Sequence, residues 1–317
     1  MRVLVTDAEY GSLDLEADVL GAAGHELLTA RCRTAADVIG AAQDVDAVIV
    51  QYAPISAEVL AALPRLRLVS RYGVGVDVVD LEAARARGVW VCNVPDYGTV
   101  EVALHAVAML SALLRNLAGH GRHVREGRWD YRLGGPLRRP GGLTLGVVGL
   151  GRIGRMTMER AAPWFGDVVG HDPYLPDAAW PDGVERLGLE DLFARSHAVT
   201  LHLPLTAETQ GLVGPDLLAR MPAGSYLVNT ARGGLVQPDA VLQALEDGRL
   251  AGVALDVLPE EPPPAGHALL GHPGALVTPH VAWYSQESEV ELRRTAAENV
   301  VVWARTGRPV HWVVEGR

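Results

Sequence analysis

The chain has 317 residues, 49% of them hydrophobic and 21% charged, with a formal net charge of −10 and all 28 basic residues arginine. That balance suits a globular protein long enough for two domains; there is no basic run to suggest a nucleic-acid surface and no stretch of about 18 apolar residues to suggest a membrane span. Cys32 and Cys92 alone cannot build a disulfide framework or a zinc cluster, and without lysine a Schiff base or a P-loop lysine is excluded, so cationic chemistry falls to arginine or histidine.

The start, MRVLVTDAEYG, reads as a strand meeting a loop rather than a signal peptide, because Asp7 and Glu9 interrupt it at once. A reducing cytoplasm is the expected setting. RVLVTD, HELLTA, DAVIVQ, LRLVSR and VWVCNV follow as strand candidates, with helical periodicity near 12–23, 34–43, 56–62 and 78–87 between them. Such βα alternation predicts a parallel sheet with helices on both faces. A long helix is expected from about Thr99 to Glu126, closed by the loop-like GRWDYRLGGPLRRPGG. The pattern then restarts with LTLGVVGL, DVVGHD, AVTLHLP, GSYLVNT, LAGVALD and ALVTPH. Two doubly wound α/β units are the economical reading. EEPPPAG is expected as a loop, and the amphipathic stretch at about 285–306 as a helix that can return to the first unit.

VVGLGRIGRM carries Gly149, Gly151 and Gly154 between a strand and a helix candidate. Glycines there permit a tight turn, close approach of backbone to pyrophosphate and close helix packing, while the helix N-terminus offers free N–H groups to phosphate. The next strand ends in Asp172, 18 residues after Gly154. An acidic side chain at that place binds the adenosine ribose and repels a 2′-phosphate, which predicts NAD over NADP. The alternative is a tight turn with a solvated aspartate.

Three polar residues fall at the ends of successive strand candidates: Arg232 in LVNTARGGLV, Glu261 in ALDVLPEEPPP and His280 in ALVTPHVAW. Ligands bind at the carboxyl ends of such strands, so the three are expected to converge over a nicotinamide. The chemistry fits reduction of a 2-oxo acid. A guanidinium holds the carboxylate and polarises the carbonyl, a histidine donates the proton, and a neighbouring carboxylate orients the ring. Taken singly, each has a plainer explanation as a surface arginine, a solvated acid or a capped histidine.

Along essentially its whole length the chain resembles the NAD-dependent D-isomer-specific 2-hydroxyacid dehydrogenases, with GLGRIG, HDPY, LHLPLTAET, LVNTARGGLV, GVALDV, EEPPP and TPHVAW in that family's order. The resemblance implies two Rossmann-like doubly wound parallel-sheet domains with the active-site cleft between them. Residues 1–97 plus 284–317 would form the discontinuous substrate domain and 98–283 the NAD-binding domain, in a homodimer built largely through the cofactor lobe. HVAWYSQES looks most like the C-terminal-binding-protein branch, which carries a tryptophan facing the substrate. Trp283 matches it, although a core aromatic at a helix start is the other reading.

The same match places Val74 and Gly75 of SRYGVGVD as a backbone cradle for the substrate carboxylate, with Arg71 near the substrate. It places Arg152, Ile153, Thr209, Thr230, Ala231 and Asp256 along the cofactor, Asp256 towards the nicotinamide amide, with His202 and Pro204 flanking the adenine or ribose. Two positions depart from the family: Val78 stands where Asn is common, and Leu104, just before His105, where an acid is common. The first bears on how the 73–78 loop is braced, the second on a polar contact near the hinge.

The leading expectation is therefore an NAD-dependent dehydrogenase acting on a small 2-oxo or 2-hydroxy acid. The alternatives are an NAD(H)-sensing, corepressor-like dimeric interaction protein and a D-3-phosphoglycerate dehydrogenase.

Overall fold

Strands of two to six residues alternate with helices, as buried β-branched runs between capped polar turns require. The computed structural model describes all 317 residues, and the chain divides into two compact units, 1–98 with 285–317, and 99–284.

The first unit runs β1 (Arg2–Val5), α1 (Asp14–Ala22), β2 (Glu26–Thr29), α2 (Ala35–Ala41), β3 (Ala47–Val50), α3 (Ala57–Ala62), β4 (Leu68–Arg71), α4 (Leu81–Arg87) and β5 (Trp90–Cys92). The N-termini of α2, α3 and α4 are capped by the side chains of Thr34, Ser56 and Asp80, which explains why these helices begin one to three residues later than periodicity alone suggests.

The second unit holds α5 (Thr99–Leu114), α6 (Leu117–Arg125), β6 (Thr144–Val148), α7 (Arg152–Ala161), β7 (Asp167–His171), β8 (Glu185–Arg186), α8 (Leu189–Arg195), β9 (Ala198–Leu201), α9 (Pro215–Arg220), β10 (Ser225–Asn229), α10 (Pro238–Glu246), β11 (Leu250–Leu255), α11 (Ala268–Gly271) and β12 (Ala275–Val277). The chain then returns to the first unit with α12 (Gln286–Thr306) and β13 (Trp312–Val314).

The first sheet has the order β13-β5-β4-β3-β1-β2 and is parallel except for β13, which pairs antiparallel with β5. The second has the order β12-β11-β10-β9-β6-β7-β8 and is parallel throughout. The chain reverses its direction of winding at β6, between β7 and β9, and ligands gather at the carboxyl ends of strands beside such a reversal.

Two elements differ from the sequence expectation. The single helix from Thr99 to Glu126 is two helices, α5 and α6, meeting at a 62° bend. Asn116 at the break adopts the left-handed conformation, φ 45°, and its side chain accepts from the Gly119 N–H as the cap of α6. Asparagine tolerates that conformation better than other side chains, so a local cap overrides an unbroken apolar pattern. The short β8 and β13 were not expected, because neither carries a long enough apolar alternation to register as a strand.

No single helix is long and apolar enough to cross a membrane. Cores lie on both faces of the second sheet, one around Phe193, Leu201 and Leu227, the other around Leu110, Leu145 and Val147, all fully or almost fully buried. Each such side chain contributes roughly 1.5–3 kcal/mol through its removal from water. That burial holds the strand ends in place.

Candidate active site

The glycine loop leaves β6 and enters α7, and its three glycines answer to three different constraints. Gly149 has φ +87°, and a Cβ there would overlap the backbone carbonyl of His202. A Cβ on Gly154 would overlap the Gly149 carbonyl oxygen, so the helix packs on the turn only without a side chain. Gly151 has an ordinary φ of −69° and nothing within 4 Å of its missing Cβ. The space at Gly151 is therefore not filled by protein, and Arg152 and Ile153 follow it as the first residues of α7, where the N-terminal end of a helix favours an anion.

Asp172 follows β7. Its Oδ2 accepts from the Leu150 N–H at 2.9 Å and its Oδ1 from the Tyr174 N–H at 3.0 Å, which sets the carboxylate beside the glycine loop. Beyond β9, His202 shares a hydrogen bond with the Thr200 hydroxyl at 2.8 Å, and burial pushes its imidazole down to about 3, so it is neutral in the working range. Thr209 closes its own turn: its hydroxyl donates to the Pro204 carbonyl at 2.7 Å and accepts from the Thr206 N–H at 2.7 Å.

The loop after β10 carries Thr230, Ala231 and Arg232. Asn229 braces it, donating to the Arg232 carbonyl at 2.8 Å and accepting from the Ala231 N–H at 3.0 Å. Thr230 is 7% exposed and its buried hydroxyl has no hydrogen-bond partner within the chain. An orphaned buried hydroxyl at one strand end, and a glycine turn with open space at its centre at another strand end of the same sheet, are features a bound dinucleotide would satisfy. With Asp172 also in place, these residues fit NAD.

Arg232, Glu261 and His280 lie after β10, β11 and β12, three neighbouring strands of the sheet. His280 Nδ1 is 2.6 Å from Glu261 Oε2, and the other Glu261 oxygen accepts from the Leu258 N–H at 2.8 Å. Burial by itself would raise the Glu261 carboxyl. The hydrogen bond and charge of His280, the Leu258 N–H and the charge of Arg232 outweigh it and hold the carboxyl below its ordinary range. A carboxylate only accepts, so Nδ1 carries the proton and Nε2 is left for exchange. The Arg232 Nη1 also donates to the Ala231 carbonyl at 2.8 Å.

Asp256, expected to face the nicotinamide amide, is held by bonds within the chain. It is 1% exposed; Oδ1 accepts from the Thr278 hydroxyl at 2.5 Å and the Val281 N–H at 2.9 Å, and Oδ2 from the Ala282 N–H at 2.9 Å. Its backbone carbonyl accepts from the His280 N–H at 2.8 Å. His280 sits in the left-handed region, φ 52°, which costs a non-glycine residue on the order of 1 kcal/mol or more. Four hydrogen bonds to one residue hold the turn there. Trp283 ends it, half-buried, its ring edge-on to Tyr284 at 5.6 Å.

Sequence reasoning missed two supports. Gly233, directly after Arg232, packs so closely on the backbone of Leu258 and Pro259 that a Cβ would overlap both, joining the arginine loop to the glutamate loop. The first glycine of ARGG was the available signal. Thr278, two residues before His280, was quoted in TPH but given no part.

In the first unit, Arg71 ends β4 and Val74 and Gly75 follow it. The Arg71 guanidinium folds over Gly73, φ +131°, occupying the space a Cβ would take. The N–H groups of Val74 and Gly75 have no backbone acceptor. Where Val78 replaces the common asparagine, backbone bonds brace the loop: Ile55 N–H to the Val78 carbonyl at 2.8 Å and Asp80 N–H to the Ile55 carbonyl at 2.9 Å.

The second unit is thus a dinucleotide-binding α/β domain with a hydrogen-bonded glutamate and histidine at its strand ends. Residues 107–282 match the family described as "D-isomer specific 2-hydroxyacid dehydrogenase, NAD binding domain". The chain belongs to the D-isomer specific 2-hydroxyacid dehydrogenase family, and its cofactor is NAD. It is 34% identical to the glycerate dehydrogenase of Methylorubrum extorquens over 287 residues, which is 87% of this chain and 88% of that one. It is 37% identical to the D-3-phosphoglycerate dehydrogenase of Archaeoglobus fulgidus over 259 residues, 81% of this chain, but spans only about half, 48%, of that relative's length. A solved NAD-dependent formate dehydrogenase from Staphylococcus aureus, in complex with NAD, superposes with a TM-score of 0.89 at 30% identity, covering 100% of both chains.

Proposed function

We propose that the protein is an NAD-dependent D-2-hydroxyacid dehydrogenase that interconverts a small 2-oxo acid and its 2-hydroxy acid. The observation that carries the reading is the 2.6 Å contact between His280 Nδ1 and Glu261 Oε2 at the strand ends of the NAD-binding unit.

When bound, the nicotinamide supplies the hydride that reaches the carbonyl carbon. His280 delivers its Nε2 proton to the carbonyl oxygen, which becomes the hydroxyl, and takes the proton back in the oxidative direction. Glu261 fixes the ring through Nδ1 and stabilises the imidazolium. Arg232 pairs with the substrate carboxylate and polarises the carbonyl through its planar fork. On the first unit, Arg71 and the N–H groups of Val74 and Gly75 suit a carboxylate of the substrate, and on the second Trp283 bounds the substrate's side chain. The Gly149–Gly154 turn, Arg152 and Ile153 receive the pyrophosphate, Asp172 the ribose, and Thr230 and Ala231 the nicotinamide side. His202, Pro204 and Thr209 border the cofactor beyond β9, and Asp256 reaches it through the turn that it braces.

Two further assignments belong to this reading. Exposed Trp129 and Tyr131, 89% and 83% accessible just beyond α6, support a homodimer contact on the cofactor unit. A reducing, cytoplasmic setting suits two free, buried cysteines.

The test is NADH consumption with glyoxylate, hydroxypyruvate, pyruvate, phenylpyruvate and 3-phosphohydroxypyruvate. Turnover of at least one is expected, falling on the order of a hundredfold or more in His280→Ala and Arg232→Ala. No turnover across the panel by a protein that binds NADH would overturn the reading.

A further inference from the structure

His105 lies in the second turn of α5, and its Nε2 is 3.1 Å from the Thr278 hydroxyl oxygen. That hydroxyl gives its one proton to the Asp256 carboxylate at 2.5 Å, so towards His105 it can only accept. His105 Nε2 therefore carries a proton, and it also stands 3.7 Å from Asp256 Oδ1. The carboxylate passes this on to the backbone: Val281 and Ala282, the two residues after His280, donate their N–H groups to its two oxygens. The chain of contacts starts on a helix, crosses a buried carboxylate and ends on the peptide groups that hold His280 at φ 52°.

We infer that His105 is a positioning residue for His280, acting through Thr278 and Asp256. The inference rests on the proposed dehydrogenase reading for its consequence, but not for its geometry. Without the Nε2–H donor, the Thr278 hydroxyl keeps its bond to Asp256 but loses its own donor. The carboxylate, 1% exposed, then also loses the N–H that stands 3.7 Å from its Oδ1. A buried network short of one donor loosens as a whole. The turn it serves is in an unfavourable conformation that persists only because its surroundings over-determine it. A loosened turn displaces the imidazole from Glu261 and from the reacting carbonyl. Leu104, beside it in the sequence, is 59% exposed and takes no part.

The test uses the full chain and the variants His105→Leu, which fills space without donating, and His105→Gln, whose amide N–H restores a donor. The first readout needs no turnover: the ring resonances of His280 by NMR, assigned through their loss in His280→Asn. The Leu variant is expected to shift or broaden them and the Gln variant to return them to the native position. The second readout is kcat for the best 2-oxo acid, expected to fall on the order of tenfold in the Leu variant and to recover to within about threefold in the Gln variant. Native His280 resonances in His105→Leu, whatever its thermal stability, would overturn the inference and leave His105 a packing residue. Shifted resonances without turnover in any variant, wild type included, would uphold the coupling and count against the dehydrogenase reading instead.

Discussion

Arg293 of the last helix donates through Nη2 to Glu16 Oε2 at 2.7 Å, and Glu16, on the first helix, is 0% exposed. Nε reaches the other Glu16 oxygen at 2.8 Å, and the Tyr72 hydroxyl donates to it at 3.0 Å. This pair fastens α12 onto the first unit after the chain has traversed the second. Arg293→Met leaves a buried carboxylate without its counter-charge and is expected to cost about 3–5 kcal/mol in denaturant unfolding. Glu16→Leu combined with Arg293→Met should recover most of that loss. Equal destabilisation by the single and double variants would show that packing, not charge balance, sets the effect.

Glycine substitutions separate folding from cofactor binding. Gly154→Ala forces a methyl against the Gly149 carbonyl and should lower the melting temperature of the cofactor-free protein by several degrees, from a cost of about 1–3 kcal/mol. Gly151→Ala meets nothing within 4 Å and should leave that temperature unchanged. It should nevertheless weaken NADH binding, measured by fluorescence titration, on the order of tenfold or more, because its methyl takes the room of the pyrophosphate.

Glu261 ties stability to pH. Its folded carboxyl titrates below the ordinary value of 4.5, so the native state binds that proton less tightly than the unfolded chain does. The stabilisation is fully present above about pH 4.5 and is lost as the pH falls through the lower folded value. The melting-temperature gap between wild type and Glu261→Gln should accordingly be flat near neutrality and close on acidification. In assays at neutral pH the same variant should lose kcat on the order of a hundredfold, because the amide no longer stabilises the imidazolium. A gap that widens in acid would contradict the sign.

Asp172 is expected to set the cofactor choice. Asp172→Ser removes the charge that repels a 2′-phosphate while keeping a short acceptor for the Leu150 N–H, which now bonds Oδ2 at 2.9 Å. The ratio of kcat/KM for NADH over NADPH should fall by roughly 10–100-fold. An unchanged ratio would place the discrimination elsewhere on the loop.

Much of the candidate site could be proposed from the sequence because its signals are local. A glycine turn between a strand and a helix declares itself within ten residues, and a strand end is marked by the polar residue that stops an apolar run. Arg232, Glu261 and His280 could be named for that reason. The break at Asn116 was not legible, because the apolar pattern of α5 continues into α6 and one side-chain cap decides the backbone. Asp256 was assigned to the cofactor by the family resemblance; that its oxygens also brace the turn after β12 left no mark in the sequence.

The sequence by itself determined the two α/β repeats and the dinucleotide turn, and it supplied the candidates His280 and Glu261, since each follows from periodicity or from residue chemistry over short spans. Only the tertiary structure decided which residues support them. His105 meets Thr278 across 173 positions, and Glu16 meets Arg293 across 277. Such pairings depend on the order in which strands lie in a sheet, and strand order leaves no periodic trace along the chain.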